Sequence, residues 1–364
     1  MANVTYTVSN KSGSYDGDMV VKQYNSMIID AGDTVTVDQP NRGLFILVKG
    51  DCTINGTLSM TSKGGYINPT TGGGSDSNAV DSNGLRFPFI TSGGSTTLNP
   101  VNTLLNGCGN TARSVMANFV GTGSNKTVLT LVRQGANGGA GVSISSNNSQ
   151  NGTTGSNGST GQTGGGGSGG ANYAGTSGAG SYGSCFSGGS GGGAVDNGGS
   201  VTSATAWSGA GGNSATGHSA GSSGGAGNPE GGNAATQSSA VFVNNEDGQG
   251  CGGLIILVVK GNLTIGSGGK IEANGGGSKH VYRTDSGEWI STGGASGGGN
   301  IILAYKGTYT NNGTVEARGG RSGRTHNNAN ASSGWNGGTS TTGQPHSKTG
   351  GLGGNGSVQT LQVS

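Results

Sequence analysis

The chain has 364 residues, of which 29% are hydrophobic, 5% aromatic and 9% charged, with a formal net charge of +2. So few charges exclude charge-driven disorder, and so small a net charge excludes the dense basic face that nucleic acid requires. The 84 glycines, with only six prolines and no sustained Gly-X-Y register, exclude a collagen helix. The start Met-Ala-Asn-Val-Thr-Tyr lacks a basic stretch followed by an apolar one, which predicts synthesis in the cytoplasm without a signal peptide. No run approaches the ~18 apolar residues of a membrane-spanning helix, so no membrane insertion is expected.

Residues 1–62 read as an N-terminal β base. Val4 to Val8 alternates, and Met27 to Asp38 reads as two strands around an Ala31-Gly32-Asp33 corner. Next comes an apolar run, Leu44-Phe45-Ile46-Leu47-Val48, a Lys49-Gly50 corner, a short Cys52-Thr53-Ile54 strand, a corner at Gly56 and a further strand at Thr57-Leu58. Short strands separated by Gly or Asn corners suit a β-solenoid or β-sandwich scaffold, because those residues accept the φ values that sharp corners need.

Residues 63–134 form a mixed β and loop insertion. It holds a loop at Gly72 to Gly74, an apolar patch from Leu85 to Ile90, a helical turn or strand from Ser114 to Val120, and a strand from Thr127 to Val132. Residues 135–250 are a glycine-rich body with tracts such as Gly164 to Gly170 and Gly188 to Gly193. Two readings apply to those tracts. One is flexible linker. The other is a lattice of polyglycine-II-like strands, extended and left-handed, packed closely enough for their backbone amides to bond. Glycine's chain entropy opposes the lattice, so it needs a scaffold on which many tracts dock.

Residues 251–364 carry C-terminal β repeats with glycine-rich loops. The first motif recurs as Leu254 to Val259, Lys260-Gly261, Leu263 to Ile265 and Lys270 to Glu272, and again as Ile301 to Tyr305, Lys306-Gly307, Tyr309 to Asn311 and Thr314 to Glu316. Ser357 to Ser364 alternates and is expected to close the scaffold as a last strand. Cys52, Cys108, Cys185 and Cys251 form no C-x-x-C pair, which argues against zinc or a redox motif and for packed thiols.

The unusual side chains fall between glycines. His280, Tyr282, Arg283 and Trp289 follow the second motif copy, His326 and Trp335 follow the third, and Trp207 lies in the glycine-rich body. Aromatic groups beside polar and charged ones suit contact with a sugar face or a protein loop, and these seven are the candidates for receptor binding. The alternative is that they fold back and cover the thin glycine layer. The close acid pairs Asp16/Asp18, Asp30/Asp33, Glu246/Asp247 and Asp285/Glu288 read as turn formers, with Asp285/Glu288 the one to test for glycoside hydrolysis. The histidines lack metal-ligand spacing, Gly-x-Gly-x-x-Gly matches carry no weight at this glycine frequency, and no nucleophile motif occurs. No catalytic, metal or cofactor site is expected.

The order of aliphatic strand, Lys-Gly corner, short Thr-containing strand and glycine tract, over residues 43–65, 253–277 and 299–320, resembles the glycine-rich structural proteins of tailed bacteriophages, including tail-fibre and receptor-binding tip proteins. The tip adhesins of that group pack polyglycine-II strands and present variable loops, although the repeated β motifs are not one of their marks. The resemblance implies an all-β fold, with packed glycine strands and display loops on the scaffold. It also implies a non-enzymatic adhesin on the virion surface that binds a host-cell surface glycan or outer-membrane protein. Other virion proteins and a homotrimeric state would go with it. A structural role, as capsid decoration, head fibre or filament subunit, and a polysaccharide-degrading tailspike are the alternatives.

Overall fold

The computed structural model describes residues 5–8, 20–38, 43–64, 135–144, 149–172, 175–180, 182–183, 187–189, 191–192, 195–196, 240–243, 247–248, 250–278, 280–283, 290–326 and 347–362. Among them every regular element is a strand and none is a helix, so the described part of the chain is all-β. The first strands are β1 (Thr5–Val8), β2 (Val20–Tyr24), β3 (Met27–Ile29), β4 (Thr34–Val37), β5 (Leu44–Val48), β6 (Cys52–Ile54) and β7 (Thr57–Ser59). The glycine-rich body contributes β8 (Ser143–Ile144), β9 (Ser149–Gln150), β10 (Ala171–Asn172), β11 (Gly175–Thr176), β12 (Val195–Asp196) and β13 (Ala240–Val243). The second motif copy forms β14 (Leu254–Val259), β15 (Leu263–Ile265) and β16 (Lys270–Glu272), followed by β17 (His280–Arg283) and β18 (Ile290–Ser291). The third forms β19 (Asn300–Tyr305), β20 (Tyr309–Asn311) and β21 (Thr314–Glu316), and the chain ends through β22 (Thr325–His326), β23 (Ser347–Lys348) and β24 (Ser357–Gln362).

Each motif copy sends one strand to each of three parallel sheets, always in the same order. The first sheet runs β2-β5-β14-β19-β24, the second β3-β6-β15-β20, and the third β1-β4-β7-β16-β21. The pairing is strictly in register: Leu44, Ile255 and Ile301 lie side by side, as do Cys52, Leu263 and Tyr309, and Leu58, Ile271 and Val315. Strands β2, β3 and β4 make a further layer of the same kind before the first motif copy. The closing strand expected near the C-terminus is β24, paired along its length with β19.

One buried cluster joins the three sheets. It includes Ile46, Leu257 and Leu303 from the first, Ile54 and Ile265 from the second, and Leu58 and Ile271 from the third. Burying each such side chain contributes about 1.5–3 kcal/mol. The opposite face of the first sheet is buried too, with Phe45 and Ile256 at 1% exposure and Ile302 at 0%. That is why its inner strands, β5, β14 and β19, read as apolar runs rather than alternating ones, whereas β24 at its end alternates. The third sheet alternates instead, with Thr34, Thr57, Lys270 and Thr314 in a row beside the buried Leu58 and Ile271.

The corners stack as the strands do. Gly261 N–H donates to the Gly50 carbonyl (3.1 Å) and Gly307 N–H to that of Gly261 (2.9 Å). Beside them the Asp51 carboxylate accepts from Asn262 N–H (2.8 Å), and the Asn262 side-chain oxygen accepts from Thr308 N–H (2.9 Å). The Ala31-Gly32-Asp33 corner uses Gly32 at φ 90°, a value that an L side chain strains to reach.

The glycine tracts are ordered by backbone bonds that recur every three residues. Gly164, Gly167 and Gly170 donate to the carbonyls of Gly298, Ala295 and Thr292 (2.9–3.1 Å), and Gly152, Gly155 and Gly158 to those of Thr349, Leu352 and Asn355 (2.7–2.9 Å). Residues 163–171 are all buried. The linker reading therefore does not describe this stretch. A methyl group at Gly297 would collide with the Gly164 carbonyl, which shows how closely the backbones approach. The patch at Leu85 to Ile90, the segment Ser114 to Val120 and the strand expected at Thr127 to Val132 lie outside the described residues.

Candidate functional site

Every glycine-rich excursion in the C-terminal repeats leaves after a third-sheet strand and returns to a first-sheet strand. The excursion after β16 rises through β17 and returns through β18 to β19; the one after β21 rises through β22 and returns through β23 to β24. The pairing of these strands fixes where their connecting segments attach. Strand β17 pairs antiparallel with β13, placing Arg283 opposite Ala240, and parallel with β22, placing Tyr282 beside His326. The segments 197–239, 284–289 and 327–346 thus start or finish at one end of this three-stranded sheet. Strand β18 pairs parallel with β23, Ile290 beside Ser347, so the returns from 284–289 and 327–346 are also neighbours. Strand β10 pairs parallel with β12 and antiparallel with β9, which brings the ends of 145–148, 173–174 and 197–239 together. Contacts of β18 with β10, β12 and β17 join these groups at one end of the bundle.

That end holds four of the seven sequence candidates. His280, Tyr282 and Arg283 lie on β17, with His326 on the adjoining β22. Trp289 immediately precedes β18, but Trp289, Trp335 and Trp207 lie outside the described residues. His280 differs from the surface group expected of it. It is 2% exposed, and its Nδ1 accepts a hydrogen bond from Arg324 N–H (2.9 Å). Its strand is the middle one of the sheet, between β13 and β22. This histidine is buried and ties β17 to the segment that leads into β22.

A second polar cluster lies where the excursions leave the sheets. Thr61, Asn274 and Arg318 occupy equivalent positions after β7, β16 and β21. Asn274 N–H donates to Thr61 Oγ1 (3.1 Å), and Arg318 N–H donates to Asn274 Oδ1 (2.7 Å). With Asp247, Gly275, Gly319 and Arg321 they line a groove of about 380 Å³. The Arg321 guanidinium donates from Nη2 to Asp247 Oδ1 (2.7 Å) and from Nε to Oδ2 (2.9 Å), and the Arg321 backbone N–H adds a bond to Oδ2 (3.0 Å). Partial burial opposes ionisation of Asp247. The bonds and charge of Arg321, helped by the charge of Arg318, outweigh it and hold the carboxyl below its usual range. Arg318 is 68% exposed and meets Glu316 at 2.6 Å.

The sequence reading took Asp247 for a solvated turn former and passed over Thr61, Asn274 and Arg318. The signal that marks the latter three is their shared place, two residues beyond the third strand of each motif copy. Asp30 and Asp33 do form a turn, Asp33 N–H donating to the Asp30 carbonyl (3.0 Å), whereas Asp285 and Glu288 lie outside the described residues. Cys52 and Cys251 are fully buried, and burial pushes the Cys52 thiol up to about 12. Neither a protein-family model, nor a curated protein, nor a solved structure matches this chain.

Proposed function

We propose that the chain is a non-enzymatic adhesin on the surface of a bacteriophage virion, at a tail-fibre tip, that binds a host-cell surface glycan or outer-membrane protein. In this reading the three parallel sheets form a β-solenoid, and the glycine tracts pack against one another as polyglycine-II strands standing on one of its corners. The three-residue step of the backbone bonds supports the second part, since a polyglycine-II strand has three residues per turn. The observation that carries the functional reading is the convergence of stems. The segments 197–239, 284–289 and 327–346, which contain Trp207, Trp289 and Trp335, all attach at the same end of the bundle. Several weak contacts presented together on a stiff support add through effective concentration. Strands β2 and β24 end the first sheet, and in this reading the chain assembles as a homotrimer with other virion proteins.

Host-cell binding by Trp289→Ala and Trp335→Ala variants tests the reading. Lost binding with unchanged assembly supports the adhesin, while lost assembly supports a structural role. Release of reducing sugar from host polysaccharide, abolished by Asp285→Asn or Glu288→Gln, would point instead to a tailspike. Light scattering after size exclusion checks the oligomer, and filaments that lengthen with concentration would overturn a closed trimer.

A further inference from the structure

The groove at the foot of the glycine tracts has none of the candidate loop residues in its lining. We infer that it binds one unit of an acidic saccharide, a sugar bearing a single carboxylate. Three features of the groove lead there. Its volume of about 380 Å³ falls at the small end of the range of roughly 300–1,000 Å³ that small-molecule sites occupy. The residues that line it mix donors with acceptors: Arg318, Arg321, Asp247, Thr61 and Asn274. And its charged groups are held in place beforehand, Arg321 by its bonds to Asp247, and Arg318 by Glu316, which also accepts from Asn274 Nδ2 (3.0 Å). Fixed groups lose little freedom when a ligand arrives.

The mixture of charges decides the class of ligand. A guanidinium matches a carboxylate through paired N–H donors, and Arg318, mostly exposed, engages Glu316 through Nη2 alone in its side-chain bonding. A multiply charged phosphate would meet the Asp247 carboxylate, which stays ionised beside Arg321. A neutral sugar would offer the guanidiniums uncharged oxygens and no paired, charge-assisted bonds. A sugar with one carboxylate uses both, its acid on the arginine side and its hydroxyls donating to Asp247.

The test is isothermal titration of the full chain with a galacturonate oligomer, a neutral galactose oligomer of the same length, and inorganic phosphate. The galacturonate oligomer is expected to bind about tenfold more tightly than the neutral one, with affinity falling as salt is raised. Arg318→Ala, at an exposed position that leaves the folded core untouched, is expected to remove about tenfold of that affinity, and Arg318→Lys to retain part of it. Trp289→Ala and Trp335→Ala are expected to leave it unchanged, so this proposal and the adhesin reading can fail separately. Equal binding of the neutral oligomer, tighter binding of phosphate, full affinity in Arg318→Ala, or loss of affinity in Trp335→Ala would each overturn it.

Discussion

Leu257 and Gly297 are both fully enclosed, yet opposite things surround them. Leu257 lies between Ile46 and Leu303 on the flanking strands and adds its side chain to the buried cluster shared by the three sheets. Gly297 has no side chain to add. Its N–H donates to the Gly189 carbonyl (2.7 Å), its own carbonyl accepts from Gly252 N–H (3.0 Å), and the Gly164 backbone fills the place of a Cβ. The layered sheets are stabilised by apolar area, and the backbone bonds keep their register. In the tracts, the bonds and the close backbone contacts carry the stability themselves, with dispersion between glycines in place of a core. The first kind of region fails when a side chain is removed, and the second when one is added.

Paired substitutions to alanine can break this comparison. Leu257→Ala is expected to destabilise the chain by about 2–5 kcal/mol, because the in-register neighbours above and below cannot collapse into the cavity. Gly297→Ala adds a methyl group against the Gly164 carbonyl and is expected to cost about 1–3 kcal/mol. Urea unfolding measures both. A neutral Gly297→Ala would mean that the tracts have room to spare, and the backbone-contact account would fail. Hydrogen exchange sharpens the point. The Gly167, Gly294 and Gly297 amides should be protected in the native chain, and Gly297→Ala should release all three while leaving Leu257 protected.

The next effect belongs to the layered region alone. Cys52 is buried among aliphatic groups, so its thiol stays protonated in the fold up to about pH 12, while in the unfolded chain it ionises near its ordinary value of 9.0. Between those values the unfolded state has lost a proton that the fold retains. Stability should therefore fall as pH rises above 9, by about 1.4 kcal/mol per pH unit at most. Unfolding of the native chain and of Cys52→Ala between pH 8 and 11 checks this, since the variant should lack that share of the slope. By the same logic Cys52 should resist iodoacetamide at pH 8 until the chain unfolds. Labelling of the folded chain at that pH would contradict its burial.

Much of the layered region is legible in the sequence because its signals are local. An aliphatic run, a Lys-Gly corner and two short strands recur within about twenty residues, and the copies then stack like on like. Val20 to Tyr24 carries only two aliphatic residues and was not read as a strand, yet as β2 it ends the first sheet, where one apolar face suffices. The tracts give less away. Glycine has no side chain to specify a partner, so which tract bonds to which is decided by where the layers hold their ends. The placing of His280 fails for a related reason. Its polar neighbours suggest a surface, but it is buried on a strand paired with β13, nearly forty residues earlier in the chain. Thr61, Asn274 and Arg318 become neighbours only once the layers are stacked.

The smallest predicted effect concerns the ion pair of Asp247 and Arg321 at the groove, which ties a tract to its neighbour. Asp247 and Arg321 are 74 residues apart and meet through two side-chain nitrogens and one backbone amide. Arg321 is 57% exposed, so solvent screens much of the attraction, and Asp247→Asn is expected to cost about 1 kcal/mol or less. The carboxyl ionises more readily in the fold than in the unfolded chain, so its contribution is present above about pH 4 and lost as pH falls through its lowered native value. Asp247→Asn should therefore match the native chain in acid and fall slightly below it at neutral pH, with the gap narrowing in high salt. A deficit that persists in acid would mean that the asparagine disturbs the backbone bond to Arg321 rather than the charge pair. In that case the groove would be held by the geometry of the tract, as the rest of the glycine region is.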